Sequence, residues 1–100
     1  MATNLTINYK INNVDKVLMC SEVTRVMEHF RNEHQELGIS CLDTIEDSIL
    51  QELMRSTVVS IVYIEDNETT TFNKYNKFYS INRSYAGEGS TLSMALRLGE

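Results

Sequence analysis

The sequence predicts an α+β domain: an antiparallel sheet of about four strands with helices packed on it, in the order β-α-α-β-β-β-α. Three observations carry that reading. Thr57-Val58-Val59-Ser60-Ile61-Val62-Tyr63-Ile64 is uncharged and rich in β-branched residues. Its apolar residues fall on both parities, as in a strand covered on both faces in the middle of a sheet. Between Asp15 and Gly38, apolar residues recur at helical spacing. After Ile64, short strand-like runs alternate with polar turns.

The elements follow in order. Leu5, Ile7, Tyr9 and Ile11 alternate with Thr6, Asn8, Lys10 and Asn12, which predicts a half-buried edge strand turned by Asn12-Asn13. Asp15 then caps a long helix over 16–37. Met19, Val23, Val26, Met27, Phe30 and Leu37 make its apolar face, and Gly38 takes the left-handed position after its end. Ile39-Ser40-Cys41-Leu42 is a short connection. Asp43-Thr44-Ile45-Glu46 reads as a capping box opening a second helix over 43–55, with Ile45, Ile49, Leu50, Leu53 and Met54 on its buried side. The central strand occupies 57–65, and Asp66-Asn67 closes a hairpin with a strand over 69–72. A turn at 73–76 leads to a strand over 78–83. Gly87-Glu88-Gly89 breaks the chain, Ser90 caps a helix over 91–98, and Gly99 ends it.

The totals bound the function. One hundred residues make one domain, 1–100, with a single core. A net charge of −5 argues against non-specific binding to nucleic acid or to an anionic membrane. No apolar run is long enough to span a bilayer, and Met1-Ala2-Thr3-Asn4-Leu5 does not open like a secretory signal. Cys20 and Cys41 lack metal-ligand spacing and read as free, buried thiols of a reducing cytoplasm.

No catalytic or metal constellation stands out, so the expectation is no enzyme, no cofactor and no metal. His29 and His34, on one predicted helix, are not at the i, i+4 spacing that grips zinc. Glu33, Glu36, Asp43, Glu46 and Asp47 cluster without a loop of alternating oxygen ligands and read as a solvated acidic surface. The stretch from Asn73 to Gly89 is the one basic, aromatic region. It interleaves Lys74, Lys77 and Arg83 with Tyr75, Phe78, Tyr79 and Tyr85, then runs into Gly87, Gly89 and Ser90 at a predicted helix start. Cations neutralise phosphates, tyrosines stack on bases, and free amides at a helix start hold anions. The candidate ligand-binding set is therefore Lys74, Tyr75, Lys77, Tyr79, Arg83, Tyr85, Gly87, Gly89 and Ser90.

The tail Gly87-Glu88-Gly89-Ser90-Thr91-Leu92-Ser93-Met94-Ala95-Leu96 resembles the last strand-to-helix element of double-stranded-RNA-binding domains. The lysines that open the last helix in that family are replaced by Thr91, Leu92 and Ser93, which argues against RNA. The same tail, with the small, proline-free chain, also resembles small bacteriophage accessory proteins. That resemblance implies a counter-defence role in a host cytoplasm, as an inhibitor of a host protein or a sponge for a signalling nucleotide. The expectation is a non-enzymatic, homo-oligomeric binding protein that captures a small anionic ligand at a subunit interface. The alternative is an inhibitor that meets a basic host protein through the acidic side of the long helix, at Glu22, Glu28, Glu33 and Glu36.

Overall fold

Alternation with a period of two governs most of this chain. The computed structural model describes residues 3–31, 33–86 and 89–98. Eight strands and one helix account for nearly all of them: β1 (Thr3–Ile11), β2 (Val14–Ser21), β3 (Arg25–Arg31), β4 (His34–Leu42), α1 (Asp47–Arg55), β5 (Thr57–Glu65), β6 (Glu68–Phe72), β7 (Tyr75–Ala86) and β8 (Gly89–Leu98). The fold is mostly β, and the α+β expectation is corrected.

The long helix over 16–37 is not formed; β2, β3 and the start of β4 occupy its place. In β4, Leu37, Ile39 and Cys41 point into the core while Glu36, Gly38 and Ser40 lie on the other face. Gly38 is thus a mid-strand residue, not a helix terminus. The helix over 91–98 is instead β8, whose Leu92, Met94 and Leu96 are buried. Leu, Met and Ala favour helices intrinsically, but burial of every second residue against a partner sheet outweighs a propensity difference of a few tenths of a kcal/mol.

The strands form two four-stranded antiparallel sheets, ordered β2-β1-β5-β6 and β3-β4-β8-β7. Each half of the chain contributes one hairpin to each sheet, and the halves meet through β1–β5 and β4–β8. The hairpins are tight: the pairs Ile11↔Val14, Arg31↔His34, Glu65↔Glu68 and Ala86↔Gly89 each leave two residues between strands. Asn12 and Asn13, at φ 52° and 64°, supply the left-handed backbone that such a turn needs. Of the tail that resembles an RNA-binding strand-to-helix element, Gly89 to Leu96 lie in β8, paired with β7, and Gly87 and Glu88 are outside the described residues. The two inner faces make one core, in which Leu5, Ile7, Leu37, Leu53, Ile61, Phe78, Leu92 and Leu96 are essentially sealed from water. Cys20 of β2 and Cys41 of β4 face one another across the sandwich; the Cys20 thiol donates to Cys41, and that bond together with burial raises its pKa.

Three bulges, one in β5 and two in β7, interrupt the alternation. β5 is interior to its sheet, but only one of its faces is covered: Val59 and Ile64 are exposed. The register shifts as Asn8↔Ser60 gives way to Tyr9↔Val58, leaving Val59 as the extra residue. The inward parity therefore changes between Val58 and Ile61, both sealed from water. β7 does the same twice, at Asn76 and Tyr79, so Tyr75, Phe78 and Ile81 all face inward.

The helix α1 begins at Asp47, not at 43. Its N-cap, Glu46, makes no side-chain cap bond, and Asp43 is engaged elsewhere, so the expected capping box is absent. Leu53 inserts into the core with Ile49 and Leu50 beside it, and Ser56 closes the C-terminus by donating from N and Oγ to the Leu53 carbonyl. Lys16 of β2 reaches Glu52 at 2.9 Å and ties the helix to the first sheet.

Candidate functional site

The outer face of the β3-β4-β8-β7 sheet carries the most distinctive chemistry. Its middle is floored by small residues, Gly38 and Ser40 of β4 and Ser93 and Ala95 of β8, which the register sets side by side. Ser80 and Asn82 of β7 flank them from one edge, Arg25 and His29 of β3 from the other. Long side chains around a short-residue floor leave a pocket of about 220 Å³. A Cβ added at Gly38 would lie 3.5 Å from His29 Cε1 and 3.9 Å from Arg25 Nη2, so both side chains lean over the glycine.

At one end of this pocket stands Glu36, only 1% exposed although it belongs to the outer face. Arg97 Nε donates to its Oε2 at 2.9 Å, and His29 Nε2 lies 3.0 Å from its Oε1. The Arg97 guanidinium is itself laid on the Tyr79 ring, 3.5 Å from the centroid. The hydrogen bond from Arg97, opposed by burial and aided by His29, holds the Glu36 pKa below its usual range. A carboxylate only accepts, so His29 carries its proton on Nε2. Its Nδ1 is shielded from solvent and has no partner, the one such side-chain nitrogen or oxygen among the described residues.

Charge distinguishes the face. Arg25, Lys77 and Arg97 lie on it, and Glu36 is its one carboxylate among the described residues. Arg97 is committed to Glu36, whereas among the described residues Arg25 donates only to the Met27 sulfur, at 3.7 Å. Within a chain of net charge −5, this is a local positive field over a polar pocket.

The residues singled out from sequence are dispersed. Lys77 and Tyr79 are on this outer face, Tyr79 beneath Arg97. Tyr75 is buried on the inner side, where its hydroxyl donates to Glu28. Lys74 is exposed at the β6–β7 crossover, and Tyr85, 79% exposed, stands at the far end of β7. Arg83 faces inward and is saturated: Nε donates to Asp43 at 2.7 Å, Nη2 to the Ile45 carbonyl at 2.7 Å, and Nη1 to Asp47. Ser90 donates to the same Asp43 carboxylate at 3.0 Å. Gly89 opens β8 rather than a helix, and Gly87 lies outside the described residues. The acidic cluster is divided likewise: Asp43 and Asp47 hold Arg83, and Glu36 is buried. With the long helix absent, Glu22, Glu28, Glu33 and Glu36 do not share an acidic helix face.

The sequence does not bring Arg25, His29, Glu36 and Gly38 together when the first three are placed on that helix and Gly38 just past its end. The available signal was the alternation Glu36-Leu37-Gly38-Ile39-Ser40-Cys41, matched by Leu92-Ser93-Met94-Ala95-Leu96. No family model, no curated protein and no solved structure matches this chain. Among the described residues no three His, Cys, Asp or Glu side chains are grouped as metal ligands, and no helix is long and apolar enough to cross a membrane.

Proposed function

We propose that this chain is a non-enzymatic binding protein that captures a small anionic ligand, of the phosphate-ester class, on the outer face of the β3-β4-β8-β7 sheet. The observation that carries the reading is Arg25: a guanidinium without a carboxylate partner among the described residues, leaning over Gly38 at the wall of a hydroxyl-rich pocket. Arginine presents a planar fork of donors suited to phosphate and carboxylate oxygens. Ser40, Ser80, Asn82 and Ser93 supply neutral partners, and Lys77 adds positive charge nearby. Signalling nucleotides belong to this ligand class. The pocket is open on one side, and a second copy laid over it would enclose the ligand.

Native mass spectrometry with added ADP tests the reading. The expected result is a stoichiometric adduct that Arg25→Ala reduces about tenfold, the loss that goes with a charge-assisted hydrogen bond. An adduct seen only with dimers supports a ligand held at the subunit interface. Equal binding by the parent and Arg25→Ala, or no adduct with ADP or inorganic phosphate, sinks the proposal.

A further inference from the structure

A second pocket, of about 280 Å³, opens where β6 crosses into β7 and is lined by Glu28, Thr70, Phe72, Asn73, Lys74 and Tyr75. It is on the other side of the second sheet from Arg25. Glu28 pairs with Leu37 and so shares the inner-face parity. The covering sheet ends short here, for Phe30 and Leu98 have the same parity and are 73% and 40% exposed.

Glu28 is held by neutral donors alone. The Tyr75 hydroxyl donates to Oε2 at 2.5 Å, the Gln35 amide donates to the same oxygen at 3.1 Å, and that amide also donates to the Tyr75 oxygen at 2.9 Å. Burial, then the bond to Glu28, pushes the Tyr75 hydroxyl up to about 12, so it stays a donor. Among the described residues no cation lies within ion-pair distance of Glu28, and its Oε1 has no donor. Beside it the Phe72 and Tyr75 rings meet edge to face, with centroids 6.1 Å apart.

An oriented carboxylate with one unused oxygen, beside two aromatic rings, is an arrangement for a cation. A hard metal ion would need several oxygen ligands, and only one carboxylate is present. We propose that this pocket binds an organic monoamine: the ammonium donates to Glu28 Oε1, and the alkyl body lies against Phe72 and Tyr75. Lys74 at the wall disfavours a ligand with a second positive charge.

The test is an amide NMR titration of the full chain with n-butylamine hydrochloride at neutral pH, with n-butanol as the neutral isostere. Affinity in the millimolar range is expected for so small a ligand, with shifts confined to Gln35 and residues 70–75. Butanol should give no comparable shifts. Glu28→Gln should weaken amine binding about tenfold, and Lys74→Ala should tighten it about twofold. Tyr75→Phe keeps the ring and the carboxylate, and should stay within about threefold of the parent. Equal shifts with butanol, unchanged binding in Glu28→Gln, or no shifts at tens of millimolar amine would overturn the assignment. The Arg25→Ala change should leave this titration untouched, so failure here and failure of the anion reading are separable.

Discussion

Two arginines of the second sheet hold carboxylates across long stretches of chain, and they do so on opposite faces for opposite reasons. Arg83 reaches inward from β7 and gathers Asp43, the Ile45 carbonyl and Asp47, the segment that carries the chain from β4 into α1. Arg97 lies on the outer face and neutralises Glu36, a carboxylate 1% exposed on a face that water could otherwise reach. The first network ties a loop down: of its acids, Asp47 is largely exposed. The second keeps a charge out of water beside a pocket. Desolvating a carboxylate is costly, and its pairing recovers that cost only with good geometry on every lone pair. Glu36 has that geometry, an arginine on one oxygen and a histidine on the other. A loop anchor does not require burial; a rigid wall for a ligand pocket does benefit from it.

The sharpest way to break this contrast is Arg97→Ala. It strands Glu36 without its main partner and uncovers Tyr79, and should cost about 3–5 kcal/mol in a denaturant titration. Arg97→Lys, which keeps the charge but not the flat guanidinium on Tyr79, should recover part of it. A loss below about 1 kcal/mol for Arg97→Ala would mean that Glu36 is not desolvated in solution.

The same network sets an acid dependence. The folded-state pKa of Glu36 lies below its unfolded value of about 4.3, so its contribution to stability is complete well above that value. It is lost as pH falls through the folded pKa. Between about pH 5 and pH 3 the melting temperature of the parent should therefore fall more steeply than that of Glu36→Gln, which has no carboxylate to protonate. Parallel curves would remove Glu36 from the account. Arg83→Ala should have a smaller, local effect. The expected signature is faster amide exchange over residues 43–50, with the strand amides of β1 and β5 unchanged.

How far the sequence carried can be judged from single elements. β1, the Asn12-Asn13 turn, β5 at 57–65 and the Asp66-Asn67 hairpin were legible because alternation, β-branching and turn chemistry agreed, although β1 lies between β2 and β5 and is not the expected edge strand. β2 and β3 were not. Val17, Met19, Met27 and Phe30 are exposed apolar residues, and counted as core they complete a helical stripe through Val23 and Val26. β8 alternated strictly, but in helix-forming residues, so local propensity and period conflicted and the period was right. Of the chemistry, the cations and tyrosines near β7 include Lys77 and Tyr79, which lie on the same sheet face as the pocket. They also include Arg83, whose guanidinium is consumed internally. Sequence counts charges; whether one is free depends on which face its strand parity selects, and the bulges at Asn76 and Tyr79 reset that parity within β7.

Arg25 gives the smallest stability effect and the cleanest separation of the two roles. It is exposed, and among the described residues it makes no ion pair and its one hydrogen-bond contact is a weak acceptor, the Met27 sulfur. Removing it leaves no buried group unpaired, so Arg25→Ala should change unfolding free energy by no more than about 0.5 kcal/mol. Yet its guanidinium leans over the Gly38 floor, so the same change should weaken phosphate-ester capture about tenfold. Arg83→Ala should do the reverse, loosening the β4–α1 segment while leaving capture intact. If Arg25→Ala lowers stability as much as Arg83→Ala does, Arg25 is a structural side chain and the outer pocket has lost its free cation.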